Sequence, residues 1–537
     1  SAFMQGLEQH APAAPVYVGE LYLECHRGTL TQMHEIKRGN RRAEFALREA
    51  EFAWVLGGGN AEARERIANA WGTLLVNQFH DILPGTSIPE VHDRAIDEVS
   101  GVIRDARAVA ASAVPASGAG AVTVLNSLSW TRNEASITGL PPGQVLEGVD
   151  CQRVQAPWGG HRLAAYGLGL PPLSAKSFTL SPQRSDPAAP SPFGWDGEAL
   201  RAPCLVARFA RDGGLSSVRL AGGRELADPG ALPLNTFLFG EDMPAAWDNW
   251  DIDADLALKL APSPALESRV VVADGPMQFR LRQTYRFGAK SRLIQDVVFH
   301  ARHARIDFET LIEWREAHSF LAVAFPLAVR APSARHEIQF GHIERPTHRN
   351  TSEDRARFEV CQHKWTDLSE NRFGVALLND GKYGVSVEGG TMRLSLHKGG
   401  THPDPRGDAG DHRCTYSLLP HDGAFSADGV IRPAYELNLA PTLVNGAADI
   451  GPLLSVEAPN IVVETVKPAE DGRGWIVRLY ESERSATRAR IRVTGAVIET
   501  NLLEEDGREV ATKGGDLELV FRPFEIKTFR VIPLTAD

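Results

Sequence analysis

The strongest chemical signal in the chain is the run Asn77-Gln78-Phe79-His80-Asp81-Ile82-Leu83-Pro84-Gly85-Thr86-Ser87-Ile88. A His-Asp pair stands there at the predicted end of one helix, and a Pro-Gly turn precedes the start of the next. His80 can ligate a metal through a neutral ring nitrogen, with Asp81 beside it binding a hydroxyl or steering the imidazole. The dipeptide equally fits a plain helix C-terminus, where the dipole favours a histidine and an aspartate shapes the turn.

A second cluster lies in Gly19-Glu20-Leu21-Tyr22-Leu23-Glu24-Cys25-His26-Arg27-Gly28-Thr29. In extended backbone, alternation puts Glu20, Tyr22 and Glu24 on one face. Two carboxylates, His26 and Arg27 in so short a segment suit hydrogen bonding to sugar hydroxyls, and a strand edge with internal ion pairs would have the same composition. A third, Trp247-Asp248-Asn249-Trp250-Asp251, alternates flat rings with acids. Such rings can cover a sugar face while carboxylates take its hydroxyls, and core tryptophans of a β domain are the competing account. Cys361-Gln362-His363 and His402-Pro403-Asp404 each offer half a metal site without a partner pair nearby. The chain shows no phosphate-binding glycine motif and no Gly-x-Ser-x-Gly elbow.

The elements that must hold these residues fall into two regimes. Ala43, Leu47, Ala50 and Trp54 recur at helical spacing, as do Ile67, Trp71, Leu74 and Leu75, then Val91, Ala95, Val99 and Val102. Gly57-Gly58-Gly59-Asn60 separates the first helix from the second. Ser87 with Glu90 predicts a capping box for the third, with Pro89 in its first turn. Three helices on short loops imply a small bundle. Val114 to Gly120 reads as a linker. Beyond it short apolar runs alternate with turns, as in Ala121–Leu125, Arg269–Val272 and Trp475–Leu479. No long helical pattern interrupts them, which predicts antiparallel sandwiches rather than βαβ units. A second linker is expected from Ser181 to Gly197.

At 537 residues the chain is too long for one core. Its 43% hydrophobic and 23% charged residues are those of a soluble globular protein. A net charge of -11 with no long basic run argues against nucleic acid or an anionic membrane surface as partner. No apolar stretch reaches bilayer-spanning length. Five scattered cysteines (Cys25, Cys151, Cys204, Cys361, Cys414) predict free thiols in a reducing, cytoplasmic setting. Asn350-Thr351-Ser352 fits the glycosylation sequon, which a cytoplasmic chain would not use.

Taken together, these segments resemble class II α-mannosidases, glycoside hydrolase family 38, in the branch of cytosolic-type and bacterial enzymes. The resemblance rests on Gly19–Glu24 with His26–Thr29, on Lys37-Arg38-Gly39-Asn40-Arg41-Arg42, on Asn77–Gly85, on Ile338–Thr351 and on Phe373–Asp380. It implies a zinc ion touching two mannose hydroxyls, with His80 among its ligands and Asp81 contacting the sugar. It also implies a retaining mechanism through a glycosyl-enzyme. Glu20, His26 and Arg27 are carried as substrate contacts. Lys398, in Leu396-His397-Lys398-Gly399-Gly400, resembles a basic sugar-contacting residue of related enzymes.

In that family the other zinc ligands, a His-x-Asp pair and an Asp that is also the nucleophile, lie in an N-terminal α/β barrel. This chain opens just before a segment resembling the close of that barrel. The expected architecture is therefore the end of the barrel and a helical middle domain over 1–115, then a small β-sandwich over 120–185. A large supersandwich, resembling galactose-mutarotase-like domains, is expected over 195–440, and a C-terminal β domain over 441–537. The expected function is part of an α-mannosidase acting on α-mannoside oligosaccharides. The nucleophile and most zinc ligands are expected to be absent, so the chain should be inactive alone and should bind no zinc tightly. The alternatives are a non-catalytic carbohydrate-binding sandwich presenting Trp247 and Trp250, and a structural scaffold that assembles a homo-oligomer.

Overall fold

The structure, a computed structural model, describes residues 1–11, 14–183, 190–505, 507–510 and 514–533. Four helices come first: α1 (Ala2–Glu8), α2 (His34–Gly57), α3 (Ala61–Asn77) and α4 (Pro89–Ala113). Ala43, Leu47, Ala50 and Ala53 line the buried stripe of α2, against Val99, Val102 and Ala106 of α4. The α3 start is capped by Asn60, whose Oδ1 accepts the Ala63 N–H at 2.8 Å.

The expected capping box of α4 does not form. Ile88 holds the cap position without a side-chain bond. Ser87 is drawn outward instead. Its Oγ donates to the Asp81 carbonyl at 2.8 Å, and its N–H donates to His92 Nε2 at 3.2 Å.

The bundle is not a separate unit. Its apolar core runs into the small sandwich through Val444 and into the C-terminal sandwich through Leu454, Ile461, Val463 and Val477. Helix α2 consequently buries polar residues on its far side. The Arg48 guanidinium donates to the carbonyls of Ser127, Val463 and Glu464, which explains how a charged residue can sit between domains. A helix packed on two sides has no solvent face left for its charges.

The strand pairs among the described residues are antiparallel. The small sandwich packs the sheet of Thr442–Ala447, Ser117–Asn126, Ser174–Pro182 and Gln144–Leu146 against Arg132–Ile137, His161–Leu170 and Asp150–Gln155. Two expectations shift here. The first strand starts at Ser117, inside the expected linker, because Ser117 pairs with Ala447. That partner strand, Thr442–Ala447, belongs to the small sandwich and not to a C-terminal domain beginning at 441. Of the expected Ser181–Gly197 linker, residues 184–189 lie outside the described residues.

The large unit faces a nine-stranded sheet against a six-stranded one, with a four-stranded sheet alongside. Its core includes Phe279, Tyr285, Phe308, Trp314, Phe325, Leu394 and Tyr416. The C-terminal sandwich pairs a three-stranded with a five-stranded sheet. No described helix is long and apolar enough to cross a membrane, and all five cysteines are unpaired.

Candidate functional site

Four segments singled out by their residue types, distant in sequence, meet in space. The Gly28 N–H donates to the Trp250 carbonyl at 2.8 Å, and the Arg27 guanidinium lies 3.3 Å from the Asp251 carboxylate. The approach at Gly28 is so close that a Cβ there would stand 2.7 Å from the Asp251 carbonyl oxygen and 2.8 Å from that of Asn249. Asn249 Nδ2 in turn donates to the Gly85 carbonyl at 3.0 Å, and the Asn249 N–H donates to the His402 carbonyl at 3.2 Å. Asp248 Oδ2 accepts the N–H groups of Thr401 at 2.6 Å and His402 at 3.1 Å. Gln32 exchanges bonds with Gly400, accepting its N–H at 3.2 Å and donating to its carbonyl at 3.4 Å.

The loop bearing His80 and Asp81 is fixed from below. Lys37, buried on the first turn of α2, donates to the carbonyls of Gln32, Leu83 and Pro84, the last two at 2.9 Å. Burial pulls its pKa down to about 7. His92 Nδ1–H donates to Asp404 Oδ2 at 2.9 Å while Nε2 accepts from Ser87, an arrangement that sets the tautomer. Residue type and spacing did not mark Lys37, His92 or Asn249 for these roles. Only the family-like run Lys37–Arg42 pointed to the first.

On this support His80 and Asp81 stand out from the surface. Their side chains are 86% and 50% exposed, and His80 Nε2 lies 3.4 Å from Asp81 Oδ2. Asp81 uses its other oxygen and its carbonyl to build the turn. Thr86 Oγ1 donates to Oδ1 at 3.0 Å, and the Thr86 N–H donates to the carbonyl at 3.1 Å. Oδ2 thus remains directed, with the imidazole, toward solvent. At 3.4 Å the Asp81 carboxylate is close enough to steer the His80 imidazole toward an ion. No third His, Cys, Asp or Glu among the described residues joins them. His80 fits as one ligand of a zinc ion with Asp81 beside it to take a hydroxyl, and the two cannot hold the ion as a complete site.

The other candidates are placed differently. Glu20 is gripped by Arg345, its Oε2 accepting from Nε at 2.8 Å, which holds its carboxyl below the usual range although burial opposes this. The Arg27 guanidinium is buried and donates to the Ala356 carbonyl at 2.9 Å. Both act as clamps within the protein, while His26 is exposed. Lys398, expected as a sugar contact, is turned into the protein. It is 0% exposed at the end of strand Thr391–Lys398, and its ammonium is matched to Asp242. Trp247 is 66% exposed and meets Trp250 edge to face at 6.0 Å between centroids. Asp404, the acid of His402-Pro403-Asp404, serves His92 and Arg406. Cys361 and His363 join no metal-type group among the described residues.

A helical bundle followed by antiparallel sandwiches is the order in which three glycosidase family models match the chain. Residues 24–116 match the alpha mannosidase middle domain, 200–406 the glycosyl hydrolases family 38 C-terminal domain, and 460–529 the family 38 C-terminal beta sandwich domain. The chain thus carries the middle, C-terminal and C-terminal beta sandwich domains of glycosyl hydrolases family 38. It is 33% identical over 554 residues to alpha-mannosidase 2C1 of Mus musculus, covering 98% of this chain and 52% of that protein. Alpha-mannosidase G of Dictyostelium discoideum is 31% identical over 590 residues, covering 99% of this chain and 54% of that one. The chain spans about half the length of the curated relatives it matches. An alpha-mannosidase from Enterococcus faecalis V583 shares the fold, with a TM-score of 0.77 at 15% identity over 98% of this chain and 72% of the other.

Proposed function

We propose that this chain forms one wall of the active site of a retaining α-mannosidase acting on α-mannoside oligosaccharides. The observation that carries the reading is the paired exposure of His80 and Asp81 on a loop locked by Lys37, His92 and Asn249. In this reading His80 contributes one nitrogen to a zinc ion, and Asp81 Oδ2 accepts a hydrogen bond from a mannose hydroxyl. When bound, zinc would order two sugar hydroxyls beside the scissile bond. Residues outside these 537 complete its ligands and supply the two carboxyl groups that such hydrolysis uses as nucleophile and acid/base. That the chain spans about half of its relatives' length supports this division. Five unpaired cysteines favour a reducing, cytoplasmic setting.

The test compares this chain with a longer one that adds the preceding residues of its gene. Chelator-sensitive hydrolysis of an aryl α-mannoside is expected from the longer protein, with a loss of at least a hundredfold in His80→Ala. The 537-residue chain alone should be inactive, and robust turnover by it would overturn the proposal.

The exposure of Trp247 favours one second reading, a sugar-stacking surface that works without catalysis. Mannose binding to this chain, abolished in Trp247→Ala and unaffected by His80→Ala, would select that reading.

A further inference from the structure

A second cluster of ligand-type side chains lies at the junction of the small sandwich and the nine-stranded sheet, apart from the loop of His80 and Asp81. Glu134 projects from strand Arg132–Ile137. His300 ends strand Ser291–His300, and His303 sits in the turn that follows it. The carboxylate and the His303 ring are 169 residues apart in sequence. Glu134 Oε1 lies 3.7 Å from His300 Nδ1 and 3.4 Å from His303 Nε2, and all three ligand atoms fall within 4.8 Å of one another. A tetrahedral shell with bonds of about 2.0–2.2 Å has edges of about 3.3–3.6 Å, so small side-chain adjustments would seat an ion among them.

The outer groups already hold His300 as a metal ligand is usually held. Its Nε2–H donates to Asp307 Oδ2 at 2.8 Å, leaving the lone pair of Nδ1 toward Glu134. Asp307 is itself anchored by Arg305 Nε at 2.8 Å and Ser417 Oγ at 2.6 Å. A carboxylate–imidazole pair of this kind fixes ring orientation and raises ligand basicity. The competing donor to Nδ1 is the Gln278 amide, at the long distance of 3.5 Å. His303 Nδ1 is buried and has no hydrogen-bond partner among the described residues.

The cluster opens on a cavity of about 300 Å³ whose wall also carries Arg132, Arg162 and Glu309. Arg162 is matched to Glu309 and Arg305 to Asp307, so these cations are already neutralised by other carboxylates. The cavity leaves room for a fourth, water ligand.

We propose that Glu134, His300 and His303 form a binding site for a divalent transition metal of the zinc type, bridging the small sandwich and the large β unit. Two imidazole nitrogens and one carboxylate oxygen favour such an ion over magnesium or calcium, which take oxygen shells. The site is independent of the pair on the 77–88 loop. The expectation that this chain binds no zinc tightly counted only that pair.

The experiment uses the 537-residue chain stripped with EDTA and titrated with Zn²⁺ by calorimetry, and with Co²⁺ for its visible absorption. One ion per chain is expected, with d–d bands of a four- or five-coordinate nitrogen–oxygen site. His303→Ala and Glu134→Gln should each weaken binding at least a hundredfold, and Asp307→Asn by 10–100-fold. His80→Ala should leave it unchanged. Far-UV circular dichroism checks that each variant is folded, and the partly exposed His303 makes its variant the decisive one. Absence of saturable binding, or one-to-one binding that persists in folded His303→Ala, would overturn the proposal. Binding lost in His80→Ala would also overturn it, by placing the ion on the other loop.

Discussion

His92 and Asp404 meet at 2.9 Å with both side chains buried, joining the first turn of α4 to the 399–408 loop. Through Ser87 the same imidazole reaches the turn that carries Asp81. His92→Ala leaves the Ser87 N–H without its acceptor and Asp404 with Arg406 alone. A loss of roughly 1–3 kcal/mol is expected, read by urea denaturation.

The same pair predicts an acid response. Burial acts to raise the Asp404 pKa, but bonds from Arg406 and His92 overcome it and hold the carboxyl at about 2. The folded-state pKa is depressed, so its stabilisation is complete above pH ~4 and is lost as pH falls from about 4 toward 2. Asp404→Asn should remove roughly 1–2 kcal/mol of the stability difference between pH 7 and pH 3. An unchanged difference would show that Asp404 does not carry it.

Glu51 on α2 predicts the opposite slope. Burial lifts its carboxyl to about 7, although Lys467 and the Trp71 N–H pull it down. A raised carboxyl pKa favours folding most below the unfolded value of about 4.5, and this advantage declines as pH rises to about 7. Glu51→Gln keeps an acceptor for Trp71. It should stabilise the protein by roughly 1–3 kcal/mol at pH 8 and change little at pH 4.5, which thermal unfolding at the two pH values would check.

Lys398 and Asp242 make a fully buried ion pair. Removing one partner strands the other charge, so Lys398→Met should cost about 3–5 kcal/mol, whereas Lys398→Met with Asp242→Leu should recover much of that. A double-mutant cycle on denaturation midpoints measures the coupling. A loss in the double variant equal to the sum of the two single losses would show that the pair is not coupled.

Gly28→Ala tests the meeting of the segments. Its Cβ would overlap two carbonyl oxygens of the 247–251 turn, at 2.7 and 2.8 Å. Destabilisation of about 1–3 kcal/mol is expected, with Trp247 fluorescence shifted because the turn must move away.

Much of the fold was legible because its signals are local. The stripe of Ala43, Leu47 and Ala50, the Gly57–Asn60 break and the short apolar runs each act within one element, and each reappears in the structure. The capping box expected at Ser87 is absent because the Asp81 carbonyl and the His92 ring, six and five residues away, take its hydroxyl and its N–H. The edge of the small sandwich differs from expectation for a long-range reason, since Thr442–Ala447 finds its partner some 320 residues earlier in the chain.

Sequence alone determined the helical-then-β order, the long motifs and the chemical promise of His80 beside Asp81. Charge and residue type are carried by the chain itself, so they could be read directly. Burial and partnership are not. Tertiary packing decided that Lys398 is spent on Asp242, that Glu20 is held by Arg345, and that His80 and Asp81 stay open. It also brought Glu134 to His300 and His303, which no spacing could reveal, because a ligand set depends on distances between atoms and not between positions along the chain.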